Sequence, residues 1–569
     1  MRLVHGCCAA WVLATAALGQ VQSHQKISDT EGGFSGTLDV IDFFGFSATA
    51  AGDLDGDGVT DLVIGSHFDG DGGSKRGSIW VLFLDGDGTV KAEQKISDTQ
   101  GGFTGALDNG DVFGSSVATL GDLDGDGVVD LAVGAPDDDD GGSARGAVWI
   151  LFLRADGTVK AHQKISDTAG GFTGVLDDCD TFGSAVASLG DLDGDGLLDV
   201  AVGAAGDGDG GTQHGAVWVL FLNADGTVGA HQKISDTQGG FTGDLLDADF
   251  FGFSASFLGD YDGDGVGELA VGSAEAGFFG HPMLSPSPGA VWLLFLNSNG
   301  TVKAQQKIGE GQGGFDGELD DFDRFGRALA PLGDLDGDGF GELAVGAPDD
   351  DDGGLGAFAE RGAVWILFLA QDGTVRAHRK ISSTQGGFTG ELDPFDRFGT
   401  SLAPLGDLDG DGVCDLAVGA PEDGDGGTGH GAVWVLFLEP MAPAVESTRA
   451  GVPPNPVALL PGVTSAPVAG SVWDPTVTAV QPAPVLDVLW LSLTPVNSAA
   501  PPFGTQLCEL PGPAAPGLFT STPPGTPFQV AIPPNGNLVG LEFCAQAASL
   551  GANATLVLTN ALDCRIGSF

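Results

Sequence analysis

Short apolar runs recur along this chain in a fixed order, separated by clusters of aspartate and glycine. One run, Ala147–Leu153, is apolar at every position, and a strand with no polar side must have both faces covered. The same unit holds three further candidate strands at 115–120, 131–134 and 158–165, with glycine and aspartate between them. Asp156-Gly157 joins the last two and suits a tight hairpin whose central residues need positive φ. No segment keeps apolar residues at helical spacing, so the pattern predicts four strands per unit and no helix.

The unit repeats. Gly-Asp-(Leu/Tyr)-Asp-Gly-Asp-Gly starts at Gly52, Gly121, Gly190, Gly259, Gly333 and Gly406, at spacings of 69, 69, 69, 74 and 73 residues. Each third strand places a tryptophan at the same position: Trp80, Trp149, Trp218, Trp292, Trp365 and Trp434. A radial stack of four-stranded antiparallel sheets meets these demands, because each blade is covered by a blade on either side and the tryptophans pack between them. The expected fold is therefore an all-β propeller. After the sixth third strand, at 433–438, no fourth strand follows, whereas an orphan one at 23–27 precedes the first repeat. Pairing these two closes the ring and removes its exposed edges. Six blades are expected, or seven if the C-terminal region adds one.

Composition divides the chain further. Residues 1–22 read as a signal peptide, with Arg2, an apolar stretch too short to span a bilayer, and small residues before Gln20. Residues 23–440 form the propeller, 441–470 a Pro/Ala-rich linker, and 471–569 a small β-sandwich-like domain with strands near 485–493, 528–532, 538–543 and 554–558. Five cysteines remain after the signal, three of them (Cys508, Cys544, Cys564) in the last domain; their pairing is left open.

A formal charge of -56 excludes nucleic acid as a partner and repels anionic membranes. The acid is concentrated in the repeated loops, which asks for divalent cations. The expected ligands are Asp53, Asp55, Asp57, Val59 and Asp61 in the first loop, and Asp122, Asp124, Asp126, Val128 and Asp130 in the second. The third offers Asp191, Asp193, Asp195, Leu197 and Asp199, and the fourth Asp260, Asp262, Asp264, Val266 and Glu268. Asp334, Asp336, Asp338, Phe340 and Glu342 follow in the fifth, and Asp407, Asp409, Asp411, Val413 and Asp415 in the sixth. Carboxylates at positions 1, 3, 5 and 9 and a backbone carbonyl at 7, with glycine at 6 for the sharp turn, supply the hard oxygens that suit calcium better than magnesium. An EF-hand would need glutamate at position 12, which here is Ile64 or valine within the second strand. About six calcium ions are expected, bracing hairpins.

Phe-Gly, the acidic loop and Gly-Ala-Pro (Gly134-Ala135-Pro136, Gly346-Ala347-Pro348, Gly419-Ala420-Pro421) together resemble the FG-GAP repeat of the integrin alpha-subunit head, over roughly residues 25–438. The resemblance implies a propeller with calcium on one face and ligands on the other. The chain departs from that family in its longer repeat, in having six copies instead of seven, and in lacking anything like the integrin leg domains or membrane anchor.

On the opposite face the loops are acidic too: residues 137–140, 349–352 and 422–425, with Asp108, Asp111, Asp177, Asp180, Asp320, Asp323, Asp393 and Asp396. They form either a site for an extracellular protein or glycan, with extra cations, or a solvated rim. A secreted or cell-surface, non-enzymatic adhesion module is expected, with no membrane span after signal cleavage. A propeller enzyme, such as a polysaccharide lyase or phosphodiesterase, and a purely structural surface protein are the alternatives. An enzyme needs one singular site. His162, His231 and His378 recur with the repeat, and Tyr261 lies inside a loop, so the insert at 278–282 is the best place for something special.

Overall fold

The computed structural model describes residues 21–274, 287–352 and 360–439, and beyond them the backbone of eleven strands between 445 and 565. No described residue is helical. In the first blade Ser47–Gly52, Asp61–Ser66, Ser78–Leu84 and Val90–Ser97 pair antiparallel in chain order. Four further sheets repeat that order. The second blade uses Ser116–Gly121, Asp130–Ala135, Ala147–Leu153 and Val159–Ser166, each within a residue or two of its expected bounds. The third strands are buried along almost their whole length, and the tryptophans are 4 to 5% exposed. Trp149 packs with Val63, Ile79 and Val81 of the preceding blade, so the aromatic position lies between blades, as expected.

Closure follows the predicted route. The N-terminal strand Val21–Ser28 pairs with Ala432–Leu438 and supplies the fourth strand of the sixth blade, with Ile27 opposite Val433 and fully buried. The ring has six blades; the C-terminal strands join other sheets, and the seventh is not formed.

The Phe-Gly pairs explain how blades join. Each phenylalanine, from Phe44 to Phe398, is fully buried, and its backbone bridges in parallel to a glycine ahead of the preceding blade's third strand: Phe113 to Gly77, Phe182 to Gly146, and, at closure, Phe44 to Gly431. A Cβ on Gly431 would lie 2.1 Å from the Phe44 carbonyl oxygen, and its φ is +88°, so glycine is required there twice over. Side chains reinforce the joint, because Ser47 Oγ donates to the Gly114 carbonyl and Ser401 Oγ to that of Gly45, both at 2.8 Å.

The chain divides into two compact units near residue 440. In the second, five strands pair antiparallel in the order Val445–Arg449, Leu556–Arg565, Glu542–Gly551, Pro484–Ser492 and Leu518–Ser521. Val445–Arg449 and Leu459–Leu460 fall inside the stretch expected to be linker, yet both pair in sheets. The side chains of Cys508, Cys544 and Cys564, the signal segment up to residue 20, and the insert at 278–282 lie outside the described residues. Cys179 and Cys414 are free.

Candidate metal centre

Each acidic loop connects the first and second strands of a blade, as expected. In the first, Gly56 and Gly58 take φ of +82° and +92°, which coils the backbone so that its N–H groups face inward. Gly56 and Gly58 donate to the two oxygens of Asp53 at 2.7 and 2.9 Å, and Val59 N–H donates to Asp57 Oδ1 at 2.9 Å. Position 9 anchors the coil: Asp61 is fully buried and accepts from Leu54 N–H and from Leu84 N–H at the end of the third strand, both at 3.0 Å. Asp130 and Asp415 repeat this clasp on Leu123 and Leu153, and on Leu408 and Leu438. The loop is thereby fixed to two strands before any ion is considered. The position 7 side chains Val59, Val128, Val266 and Phe340 pack onto the interblade cores.

The carboxylates converge in part: positions 1, 3 and 9 come together in loops two to five, and positions 1, 3 and 5 in the first. Three carboxylate oxygens lie within 4.8 Å of one another in Asp53/Asp55/Asp57, Asp122/Asp124/Asp130, Asp191/Asp193/Asp199, Asp260/Asp262/Glu268 and Asp334/Asp336/Glu342. Oxygens sharing one calcium ion at about 2.3–2.6 Å stand no further apart than about twice that distance. Burial pushes Asp130, Asp199 and Asp415 up to about 6 and Glu342 up to about 8, with neighbouring loop carboxylates adding to the shift. Glu268 Oε1 is buried with no hydrogen bond. A buried carboxylate raised by burial and grouped with exposed ones at ion-sharing distances fits a divalent cation.

Sequence reasoning missed the lysines. The fourth strands vary on Val159–Ser166, Val-Lys-Ala-His-Gln-Lys-Ile-Ser; in blades one, two and four two lysines four residues apart share one face of the strand, and in the other three only the second lysine is kept. Lys160 reaches Asp124 and Asp126 in the acidic loop, while Lys164 reaches Asp138 and Asp140 at the other end of the blade, at 2.6 and 2.8 Å. The pattern at fixed places in successive repeats was the available signal.

The second lysine changes the picture of the opposite face. Asp69 and Asp71 hold Lys95, Asp207 and Asp209 hold Lys233, Asp350 and Asp352 hold Lys380, and Asp423 and Asp425 hold Lys26. These lysines also stand over the blade tryptophans at 5.1 to 5.4 Å. A second set of acids, Asp42, Asp111, Asp180, Asp323 and Asp396, caps its own turns through Oδ2 and is pushed by burial up to about 7. Much of the acid expected to face ligands is thus engaged within the blades. His162, His231 and His378 lie edge-on to Trp149, Trp218 and Trp365 and bond to Thr104, Thr173 and Asp316, one arrangement repeated three times.

One place where the symmetry breaks lies in blades five and six. Asp349 pairs with Arg324 and Arg397, and Arg397 also holds Glu360 and Glu422. Beside them Arg327 lies between the rings of Phe46 and Phe253, at 4.8 and 4.7 Å, and burial pushes its guanidinium down to about 9. Phe46 and Phe253 belong to blades one and four, on opposite sides of a six-bladed ring, so Arg327 lies across its axis.

Comparison with known proteins agrees with this geometry. The FG-GAP repeat model matches residues 44–82, 113–151, 182–220, 325–367 and 398–436. The chain is 34% identical to integrin alpha-5 of Xenopus laevis over 180 residues, 32% of this chain and 15% of that protein. It is 33% identical to integrin alpha pat-2 of Caenorhabditis elegans over 251 residues, 42% of this chain and 18% of that one. The chain thus spans less than a fifth of these relatives' own length. Among solved structures, a subtype N11 neuraminidase-like protein of a flat-faced bat isolate aligns with a TM-score of 0.33 at 10% identity, covering 74% of this chain and 96% of that one, a likeness too weak to bear on activity. Five matched repeats within a closed six-bladed ring make this chain an integrin-alpha-like FG-GAP repeat protein.

Proposed function

We propose that the propeller is a secreted or cell-surface module for adhesion or recognition, non-catalytic, whose blade hairpins are braced by calcium. The observation that carries this reading is the convergence, in FG-GAP loops, of exposed carboxylates with a buried one at position 9. The side chains at positions 1, 3, 5 and 9 of each loop, with the carbonyl at 7, would hold the ion, which supplies positive charge and links the two ends of the coil. Asp61 and its counterparts transmit that link to the third strand. The role is structural, and recognition falls to the opposite face. The Arg324–Asp349–Arg397 network is favoured there, because a partner needs a singular feature on a repetitive surface. Homologous integrin alpha subunits support the adhesive reading.

Melting of the full chain in calcium and in excess chelator tests the brace. A fall of many degrees on chelation, reversed by calcium and not by magnesium, is expected; superimposable curves would sink it. A glycan and extracellular-matrix binding screen with Arg327→Ala and Arg397→Ala variants tests the recognition face, and turnover of a polysaccharide or phosphodiester would overturn the non-catalytic assignment.

A further inference from the structure

In four of the six loops the carboxylates at positions 3 and 5 already hold a cation of the chain's own. Lys91 Nζ lies 2.9 Å from Asp55 and contacts Asp57; Lys160 lies 2.9 Å from Asp124 and contacts Asp126. Lys303 lies 2.9 Å from Asp262 and contacts Asp264, and Arg376 lies 2.5 and 2.8 Å from Asp336 and Asp338. All four residues occupy the second position of a fourth strand, just past the hairpin from the third. In blade three that position is Gly229, and in blade six, where the N-terminal strand serves as the fourth, it is Gln22. Among the described residues, no lysine or arginine pairs with Asp193, Asp195, Asp409 or Asp411.

We infer that the chain grades its own calcium sites: loops three and six are open, tight sites, and the other four carry a built-in competitor that weakens them. The inference rests on the calcium reading above. Its physical basis is displacement. An ammonium or guanidinium must leave two carboxylates before those oxygens can take the ion, and it then remains nearby as a like charge. Each exposed pair of this kind is worth up to about fivefold in an equilibrium constant, so release of two makes the four guarded loops weaker by up to about 25-fold. The two open loops lie three blades apart, on opposite sides of the ring. At limiting calcium the propeller is thus braced first at two opposite points, one of them the blade closed by the N-terminal strand.

Calcium titration calorimetry on the chelator-stripped full chain decides this, with circular dichroism confirming the fold. Two tight sites and four weaker ones are expected. Lys160→Ala should raise the tight class to three, Gly229→Lys should lower it to one, and Asp193→Asn should remove a tight site. If Gly229→Lys fails to fold, Gln22→Lys in blade six carries the same expectation. Six equivalent sites, or a tight class unmoved by these substitutions, would overturn the grading and leave the calcium reading standing. No calcium heat at any loop would overturn both.

Discussion

Replacing Lys164 with methionine keeps most of the side chain's length and apolar surface while removing its charge. Lys164 Nζ lies 2.6 Å from Asp138 and 2.8 Å from Asp140, and stands 5.3 Å over Trp149. Asp138 is 2% exposed, and the 4% exposed Asp111 faces the same charge. Without the ammonium these buried carboxyls have no nearby cation. Breaking a buried pair from one side costs about 3–5 kcal/mol, and because Lys164 retains some exposure the lower end, about 3 kcal/mol, is expected. Blade four supplies the control. Lys307 stands 5.0 Å over Trp292 and faces Asp249 as Lys164 faces Asp111, but the positions of the aspartate pair hold Ala276 and Phe278 in the sequence, so Lys307→Met should cost less, about 1–2 kcal/mol. Urea unfolding followed by tryptophan fluorescence gives both values. Adding Asp138→Asn to Lys164→Met should recover most of the loss, since the orphaned charge is then gone. Burial holds the Asp138 carboxyl above its ordinary range even with lysine present, and losing the lysine moves it further up. The deficit should therefore be full at pH 8 and shrink as acid protonates Asp138. Equal costs for Lys164→Met and Lys307→Met, or no recovery with Asp138→Asn, would refute the reasoning.

Other consequences can be checked in parallel. Gly431→Ala forces a Cβ to 2.1 Å from the Phe44 carbonyl at a φ of +88° and should cost more than about 2 kcal/mol in urea unfolding, whereas Gly424→Ala, which meets nothing within 4 Å, should be near neutral. Deleting residues 1–28 should leave the edge of Ala432–Leu438 open and shift size-exclusion elution toward larger species, while deleting 1–20 should leave the elution profile unchanged. Asp42, Asp111, Asp180, Asp323 and Asp396, raised to about 7 in the fold from about 4 unfolded, bind more protons in the native state across that interval. Their contribution to stability is therefore full below about pH 4 and is lost as pH rises through 7, so the chelated protein should have a higher urea midpoint at pH 5 than at pH 8, with a shallower slope for Asp111→Asn.

Strand positions, blade count and ring closure were legible in the sequence because each depends on local pattern. An all-apolar Ala147–Leu153 can only be a doubly covered strand, and an unpaired fourth strand at one end answers a missing one at the other. The Asp-x-Asp-x-Asp-Gly spacing likewise determined which carboxylates converge, since a nine-residue coil brings its own side chains together whatever surrounds it. Charge balance was decided by tertiary structure. The acids at 137–140 read as a free surface, yet the strand pairing brings Lys164 against Asp138 and Asp140. Pairing also placed Val445–Arg449 beside Leu556–Arg565, more than a hundred residues away, which a Pro/Ala-rich composition could not announce. Arg327, Phe46 and Phe253 come from three blades and meet only once the ring is closed. Periodicity and spacing act within a few residues and so are written in the chain; which carboxylate a lysine neutralises depends on distance in space, and only the folded ring sets that distance.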